Sequence, residues 1–294
     1  MIRKVIRSIL LCRADEPIVD CIERRCVNIK KRIDNRTVRN EALKSALDNI
    51  GICSGDNIMV HCSWRNLYQL RSTPEEIINI LLTQIGSEGT LVMPCYTNNT
   101  YFFDVDNDRS SAGVLSEVFR NKFSPLRSRC SHFACAAKGK YAQLIIAEND
   151  KCIYGFDQKS AYYKFSTLDR AKIILLGLGK ASVKLSLYHL VEPILKDEVN
   201  FFKELLSVQY TSTVVFRDND RIIEQKHPNM IARIPTRPNK KNIKKIYRNS
   251  FCKFSKVGNI DLVSVDAKLC SDYIMQEALE GKYMIKLRKK RAKM

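Results

Sequence analysis

The chain is expected to fold as one α/β domain, with a mixed, largely buried central sheet flanked by helices on both faces. Three observations predict this. Residues 57–60, 90–95 and 172–178 form short apolar runs that are continuous rather than alternating, as in strands buried on both faces. Amphipathic, helix-period segments separate these runs, which is the arrangement of a parallel or mixed sheet. A Gly or Pro stands beside each run (Gly55, Pro94 and Gly177) and marks where it stops.

The elements follow in order. Residues 1–36 are Arg-rich and weakly periodic, and read as a basic N-terminal extension. Residues 37–50 predict a helix with Thr37 as N-cap and Gly51 as its close. Thr73-Pro74-Glu75-Glu76 is a helix start: Thr caps, Pro takes the first turn, and Glu76 completes a capping box. That helix runs to Ile85 and Gly86. Residues 96–110 are polar and aromatic and predict a long loop, followed by a helix over 113–121. The small residues of 127–139 are expected to open a helix through Leu144. A short helix is expected within 152–168, and helix over 184–206 with a bend at Pro193. Residues 209–216 and 221–224 flank Asp218-Asn219-Asp220 as a hairpin. The last helix is expected over 266–280. The domain is thus placed at 37–280, with 226–260 a basic insertion or flank and 281–294 a Lys-rich tail.

Charge is the unusual feature of the composition. Lys plus Arg is 50 against 31 Asp plus Glu, a formal +19. Residues 226–260 carry ten Lys or Arg and 282–294 carry seven, with no acid in either, so two segments hold 17 of the 19 net charges. Such a balance favours anionic partners. One class it admits is a nucleic-acid-binding module, with Tyr247, Phe251 and Phe254 interleaved among the cations. No binding motif accompanies them, so no specific nucleic acid is expected. No stretch approaches the roughly 18 apolar residues of a membrane span. The eleven cysteines include no CxxC pair, which reads as reduced thiols in a cytoplasmic protein. His and Cys never reach zinc-ligand spacing.

Strand ends are where an α/β sheet exposes chemistry. Here they carry His61-Cys62-Ser63, Pro94-Cys95-Tyr96-Thr97 and Gly177-Leu178-Gly179. The first offers amides and a hydroxyl to a phosphate or a thioester, or simply caps a strand. Gly177-x-Gly179 lacks the third glycine of a dinucleotide fingerprint and reads as a tight strand exit. His189 and Glu192 stand three apart on one helical face. A histidine is the usual general base near neutral pH.

Four stretches, in order and at matching spacing, resemble the aminoglycoside 3-N-acetyltransferase family, which is unrelated to the common small acetyltransferases. They are NIMVHCS at 57–63, GTLVMPCYTNN at 89–99, Gly113 with Glu117 and Phe119 followed by RSRCSHFACAAKG at 127–139, and KIILLGLG at 172–179 followed by LYHLVE at 187–192. The resemblance covers more than half the chain. It implies transfer of an acetyl or short acyl group from coenzyme A to an amine, without a covalent enzyme intermediate. His189 matches the family's catalytic His. His61, Cys62 and Ser63 match the loop near the pantetheine and thioester, and Arg127 and Ser128 match an Arg-Ser pair beside the cofactor. Glu192 matches the acid of the family's helix motif, which orients a neighbour or pairs with the amine substrate, and Tyr96 and Asn98 are placed with that substrate. The resemblance places the family's catalytic carboxylate near Glu224 and His227: either Glu224 orients His189, or the carboxylate has been replaced.

The chain also departs from the pattern. Cys130-Ser131 replaces His-Pro, Ala134 and Cys62 replace serines, and Ser160-Ala161 replaces Ser-Pro. A thiol at Cys62 or Cys130 opens a ping-pong alternative. The net charge argues against a polycation, so the acceptor is expected to carry phosphate. The reading is a nucleotide-linked amino sugar for a surface polysaccharide, with an antibiotic aminoglycoside as the alternative. A monomer or homodimer is expected.

Overall fold

The computed structural model describes residues 7–13, 18–99, 101–232 and 235–288. The expected N-terminal and C-terminal segments therefore lie partly outside the described residues, at 1–6, 14–17 and 289–294.

Seven strands make the main sheet: β1 (Asn57–Cys62), β2 (Thr90–Pro94), β4 (Leu126–Arg127), β5 (Cys135–Gly139), β6 (Ala171–Leu176), β10 (Cys252–Val257) and β11 (Ile260–Asp266). Their order is β10-β11-β6-β1-β2-β5-β4. β1 lies parallel to both β6 and β2, while β11 and β5 run antiparallel at either side. A smaller sheet joins β3 (Phe102–Asp104) to the long hairpin of β7 (Leu206–Asp218) and β8 (Arg221–Ala232). A third pairs β9 (Thr236–Pro238) with β12 (Ile285–Leu287). The helices are α1 (Ile18–Ile33), α2 (Asn40–Asn49), α3 (Pro74–Ile85), α4 (Val114–Lys122), α5 (Ala142–Ile146), α6 (Ala161–Ser166), α7 (Val191–Ile194), α8 (Asn200–Leu205), α9 (Lys240–Ile246) and α10 (Ala267–Leu279).

Side chains of a strand alternate between faces, and the core divides accordingly. Met59, Val92, Ile173 and Leu175 join the layer of α5, α6 and α10. Ile58, Val60, Leu91, Ile174 and Leu176 join the layer of α2, α3 and α4. Both faces are covered, which is why the strands read as continuous apolar runs. The capping box of α3 is present: Thr73 Oγ1 accepts from Glu76 N at 3.2 Å and Glu76 Oε2 accepts from Thr73 N at 2.8 Å. Asp56, fully buried, pins the end of the sheet opposite the site. It takes Arg170 Nε at 2.9 Å, Lys172 Nζ at 2.6 Å and the Cys53 amide at 2.8 Å, so its charge is paired and hydrogen-bonded as a buried carboxylate must be.

Three expectations need correction. Residues 127–139 are strands β4 and β5, not the start of a helix. Ala136 and Ala137 face opposite cores, and a strand confined between two layers at this sheet position overrides the helix propensity of alanine. Residues 184–206 are not one helix: a 3-10 turn at Ser186–His189, α7 and α8 divide them, consistent with Pro193 inside the run. The basic run 226–260 is woven into the fold. It completes β8 and supplies β9, α9 and the sheet strand β10.

Candidate active site

The parallel strands β1, β2 and β6 end together, and a cavity of about 310 Å3 opens there. β1 contributes His61 and Cys62, β2 contributes Pro94, and the segment after β6 contributes Leu178, Val183 and Lys184. Aromatic rings close the other sides: Tyr96, Phe133, Phe156, Tyr162 and Tyr188. Gly177 makes the strand exit possible. Its φ is +71°, and a Cβ there would sit 3.2 Å from the Ser63 carbonyl and 3.1 Å from Leu67, so only glycine lets the two strand-end loops meet. Phe133 also has a left-handed backbone, φ 79°. Such a conformation costs about 1–3 kcal/mol and is held by its surroundings; here the Phe156 ring lies 4.6 Å and the His132 ring 4.1 Å away.

His189 enters from the 3-10 turn. Its Nδ1 lies 2.6 Å from Glu192 Oε1. The histidine side chain is 31% exposed and the carboxylate 12%, so the ring is reachable from the cavity while its partner is shielded. The Nδ1 proton is assigned by that contact, because a carboxylate accepts; this leaves Nε2 as the unprotonated, basic nitrogen. Phe156 and Tyr188 flank the ring, with centroids at 5.2 and 4.2 Å.

The other histidines differ. His61 Nε2 lies 3.0 Å from the Ser186 hydroxyl, and burial, helped by nearby Lys184, pushes its pKa down to about 4. His132 Nδ1 meets the Tyr210 hydroxyl at 3.2 Å, and burial lowers it likewise to about 4. His227 is buried with Nδ1 3.0 Å from Ser131 Oγ, and burial lowers its pKa too. Of the four, His189 is the one beside a carboxylate.

The expected site residues sort as follows. His61, Cys62, Tyr96 and His189 line the cavity, and Glu192 backs His189. Ser63 lines an adjoining basin; its hydroxyl accepts from Asn66 Nδ2 at 3.0 Å, and its amide donates to Leu176 O at 2.9 Å. That amide is thus committed to the sheet and does not serve an oxyanion. Asn98 is exposed and does not line the cavity.

Arg127 and Ser128 are corrections. The Arg127 guanidinium donates to the carbonyls of Cys95, Val105 and Asp108 at 2.7–3.1 Å and lies 4.6 Å over the Phe103 ring. Its donors organise the 95–108 loop rather than a phosphate. Ser128 is buried and accepts from the Cys135 amide at 2.9 Å. Glu224 is a third. It stands on the outer hairpin, 60% exposed, paired to Lys226 at 3.1 Å, while the carboxylate in contact with His189 is Glu192. Cys130 is buried and does not line the cavity. Phe133, Phe156, Tyr162, Lys184 and Ser186 were not singled out from sequence. Only the position of Lys184 and Ser186 after a strand end carried a signal.

The adjoining basin, about 470 Å3, shares Leu178, Val183 and Lys184 with the first cavity. It continues past Ser63 and Asn66 to α1 and α9. Among the described residues no disulfide joins the cysteines. Among the described residues no cluster suits a metal ion, and no helix is long and apolar enough to cross a membrane.

A family model described as aminoglycoside 3-N-acetyltransferase matches residues 59–278. A curated relative, aminoglycoside N(3)-acetyltransferase IV of Salmonella sp, is 31% identical over 145 residues, 48% of this chain and 54% of its own. The match thus spans about half the length of that relative. The solved aminoglycoside acetyltransferase AAC(3)-IVa apoenzyme superposes with a TM-score of 0.65 at 22% identity, over 83% of this chain and 89% of its own. The AAC-IIIb binary complex with CoASH gives 0.66 at 20% identity, over 82% and 96%. The structural likenesses show the fold: a mixed sheet between helical layers.

These findings overturn the nucleotide-linked amino sugar expected as acceptor, because the family and the relatives are named for aminoglycosides. The physical reason is that the net charge of the chain does not describe the cavity. Of the cavity's lining residues only Lys184 is a Lys or Arg, and the basic run 226–260 spreads over four elements.

Proposed function

Since this chain belongs to the aminoglycoside 3-N-acetyltransferase family, we propose that it transfers an acetyl group from acetyl-CoA to an amine of an aminoglycoside. The observation that carries this reading is the His189–Glu192 pair at the cavity wall, 2.6 Å apart. An ammonium must lose a proton before its nitrogen attacks a thioester. His189 Nε2 accepts that proton from the acceptor amine. Glu192 holds the Nδ1 proton, fixes the ring and stabilises the imidazolium that forms.

Acetyl-CoA, as co-substrate, supplies the activated acetyl group. The site fits it by the chemistry of its surfaces: an apolar strand-end cavity at His61 and Cys62 runs into a basin bearing lysines. The aromatic faces of Tyr96, Phe133, Phe156 and Tyr162 suit a cationic acceptor, since a ring face attracts an ammonium within about 6 Å. A direct transfer is favoured over a ping-pong route because burial pushes the Cys62 thiol up to about 12, and a thiol so protonated is a poor nucleophile.

The test is release of the coenzyme A thiol on mixing enzyme, acetyl-CoA and gentamicin, with product mass reporting one added acetyl group. Thiol release that requires the antibiotic supports the reading. No release with gentamicin or sisomicin, in a protein that still binds coenzyme A, would overturn the acceptor.

A further inference from the structure

We infer that the N-terminal helix α1 is part of the donor site: with α9 it forms a lysine-lined basin that takes the phosphate groups of coenzyme A. This rests on the acetyl-CoA reading above. α1 lies wholly upstream of the family-matched residues 59–278.

The helix is docked from one side. Cys21 and Val27 are buried, and Lys31 reaches the Tyr68 ring at 5.5 Å. Glu23, Cys26, Val27 and Lys30 line the basin. They recur three or four residues apart, so they form one stripe of the helix. α9 faces the same hollow with Lys240 and Lys244, again four apart, and Lys184 stands where basin and reaction cavity meet.

Several lysines of the chain have acidic partners. Lys140 pairs with Glu88, Lys172 with Asp56 and Lys282 with Glu277. Among the described residues Lys30, Lys184, Lys240 and Lys244 have no hydrogen-bond or ion-pair partner for their ammonium groups. Like charges gathered around one hollow repel each other and raise the local attraction for an anion. Coenzyme A brings a diphosphate and a 3′-phosphate, joined by a pantetheine arm to the thioester that His189 must face. The basin is continuous with the cavity through Leu178, Val183 and Lys184, which is the path such an arm requires. Glu23 is the one acidic residue in the lining.

The experiment is calorimetric binding of coenzyme A to the full chain, with steady-state kinetics beside it. Lys30→Gln combined with Lys244→Gln should weaken coenzyme A binding about tenfold or more, as loss of charge-assisted contacts does. The KM for acetyl-CoA should rise in step, with kcat and the KM for gentamicin little changed. Glu23→Gln should act oppositely and tighten binding about threefold, a sign that a purely structural role would not produce. Acetyl-pantetheine, which lacks the phosphates, should be used equally well by wild type and the lysine variant. All three positions are exposed, so folding should be intact by thermal melt. Wild-type affinity in the lysine variant, or equal losses with acetyl-pantetheine, would overturn the inference while leaving the donor reading in place. Failure of the wild-type protein to bind coenzyme A at all would instead remove the donor reading.

Discussion

Two walls of one cavity each present a histidine, and the histidines are prepared for opposite tasks. At the end of β1, His61 faces the hydroxyl of Ser186, and burial beside Lys184 drives its pKa down to about 4. At the 3-10 turn, His189 faces the Glu192 carboxylate and stays reachable. The first ring is kept neutral at working pH and shapes the wall. The second has a carboxylate on its Nδ1, which leaves Nε2 as the nitrogen without a proton. Position at a strand end therefore does not by itself make a histidine a base; the partner on its second nitrogen does.

The largest expected effect breaks the comparison from the His189 side. His189→Ala should lower kcat by about 10²–10⁴, the range for loss of a positioned general base. His61→Asn should cost less than about tenfold. Comparable losses in both variants would mean the two walls share the proton transfer. Glu192→Gln comes next. It keeps the contact to Nδ1 but removes the charge that stabilises imidazolium, so kcat should fall about 10–100-fold with little change in either KM. Unchanged kcat there would leave His189 without an orienting carboxylate.

Of this contrast the sequence carries the His189–Glu192 pairing and the strands that end at the cavity, but not the neutral state of His61, and the reasons are physical. The His189–Glu192 spacing of three survives in the structure because one helical turn brings such residues together whatever the surrounding fold. β1, β2 and β6 were readable because burial on both faces forces apolar continuity. Arg127 was not readable. A guanidinium beside a cofactor and one satisfied by the carbonyls of Cys95, Val105 and Asp108 look alike in one dimension. Glu224 failed for a related reason: its β8 register sets it opposite Val215 on the outer hairpin, a long-range pairing no local pattern announces. The alanines of β5 read as helix because their strand state comes from packing between two layers.

A pH titration of stability sharpens the same comparison with a smaller effect. His61 and His132 carry folded pKa values of about 4 against an ordinary 6.5. As pH falls, the unfolded chain takes up these protons first, so acid favours unfolding. Their contribution is fully present above about pH 7, lost progressively between 6.5 and 4, and gone below. The thermal midpoint should drop on the order of 5 °C between pH 7.5 and 4.5. In the His61→Asn, His132→Asn double variant the drop over that window should shrink by about half. An equal drop in wild type and variant would show that neither ring is held neutral by its burial.

The smallest effect concerns the thiol beside His61. Cys62 lines the cavity, and a strand-end thiol near a histidine invites comparison with an acyl-accepting nucleophile. Two features of this wall argue otherwise. Burial pushes the thiol up to about 12, so the thiolate is scarce at neutral pH. The nearby imidazole is the ring at His61, whose pKa of about 4 makes it a weak base for a thiol. A scarce thiolate beside a weakly basic His61 favours direct transfer to the amine over an acyl-cysteine. Cys62→Ser should therefore retain turnover within about threefold, and the resting enzyme incubated with acetyl-CoA should show no added acetyl mass. A stable acetyl adduct on Cys62, absent from the serine variant, would transfer the nucleophile's role to the β1 wall and reverse the contrast between the two histidines.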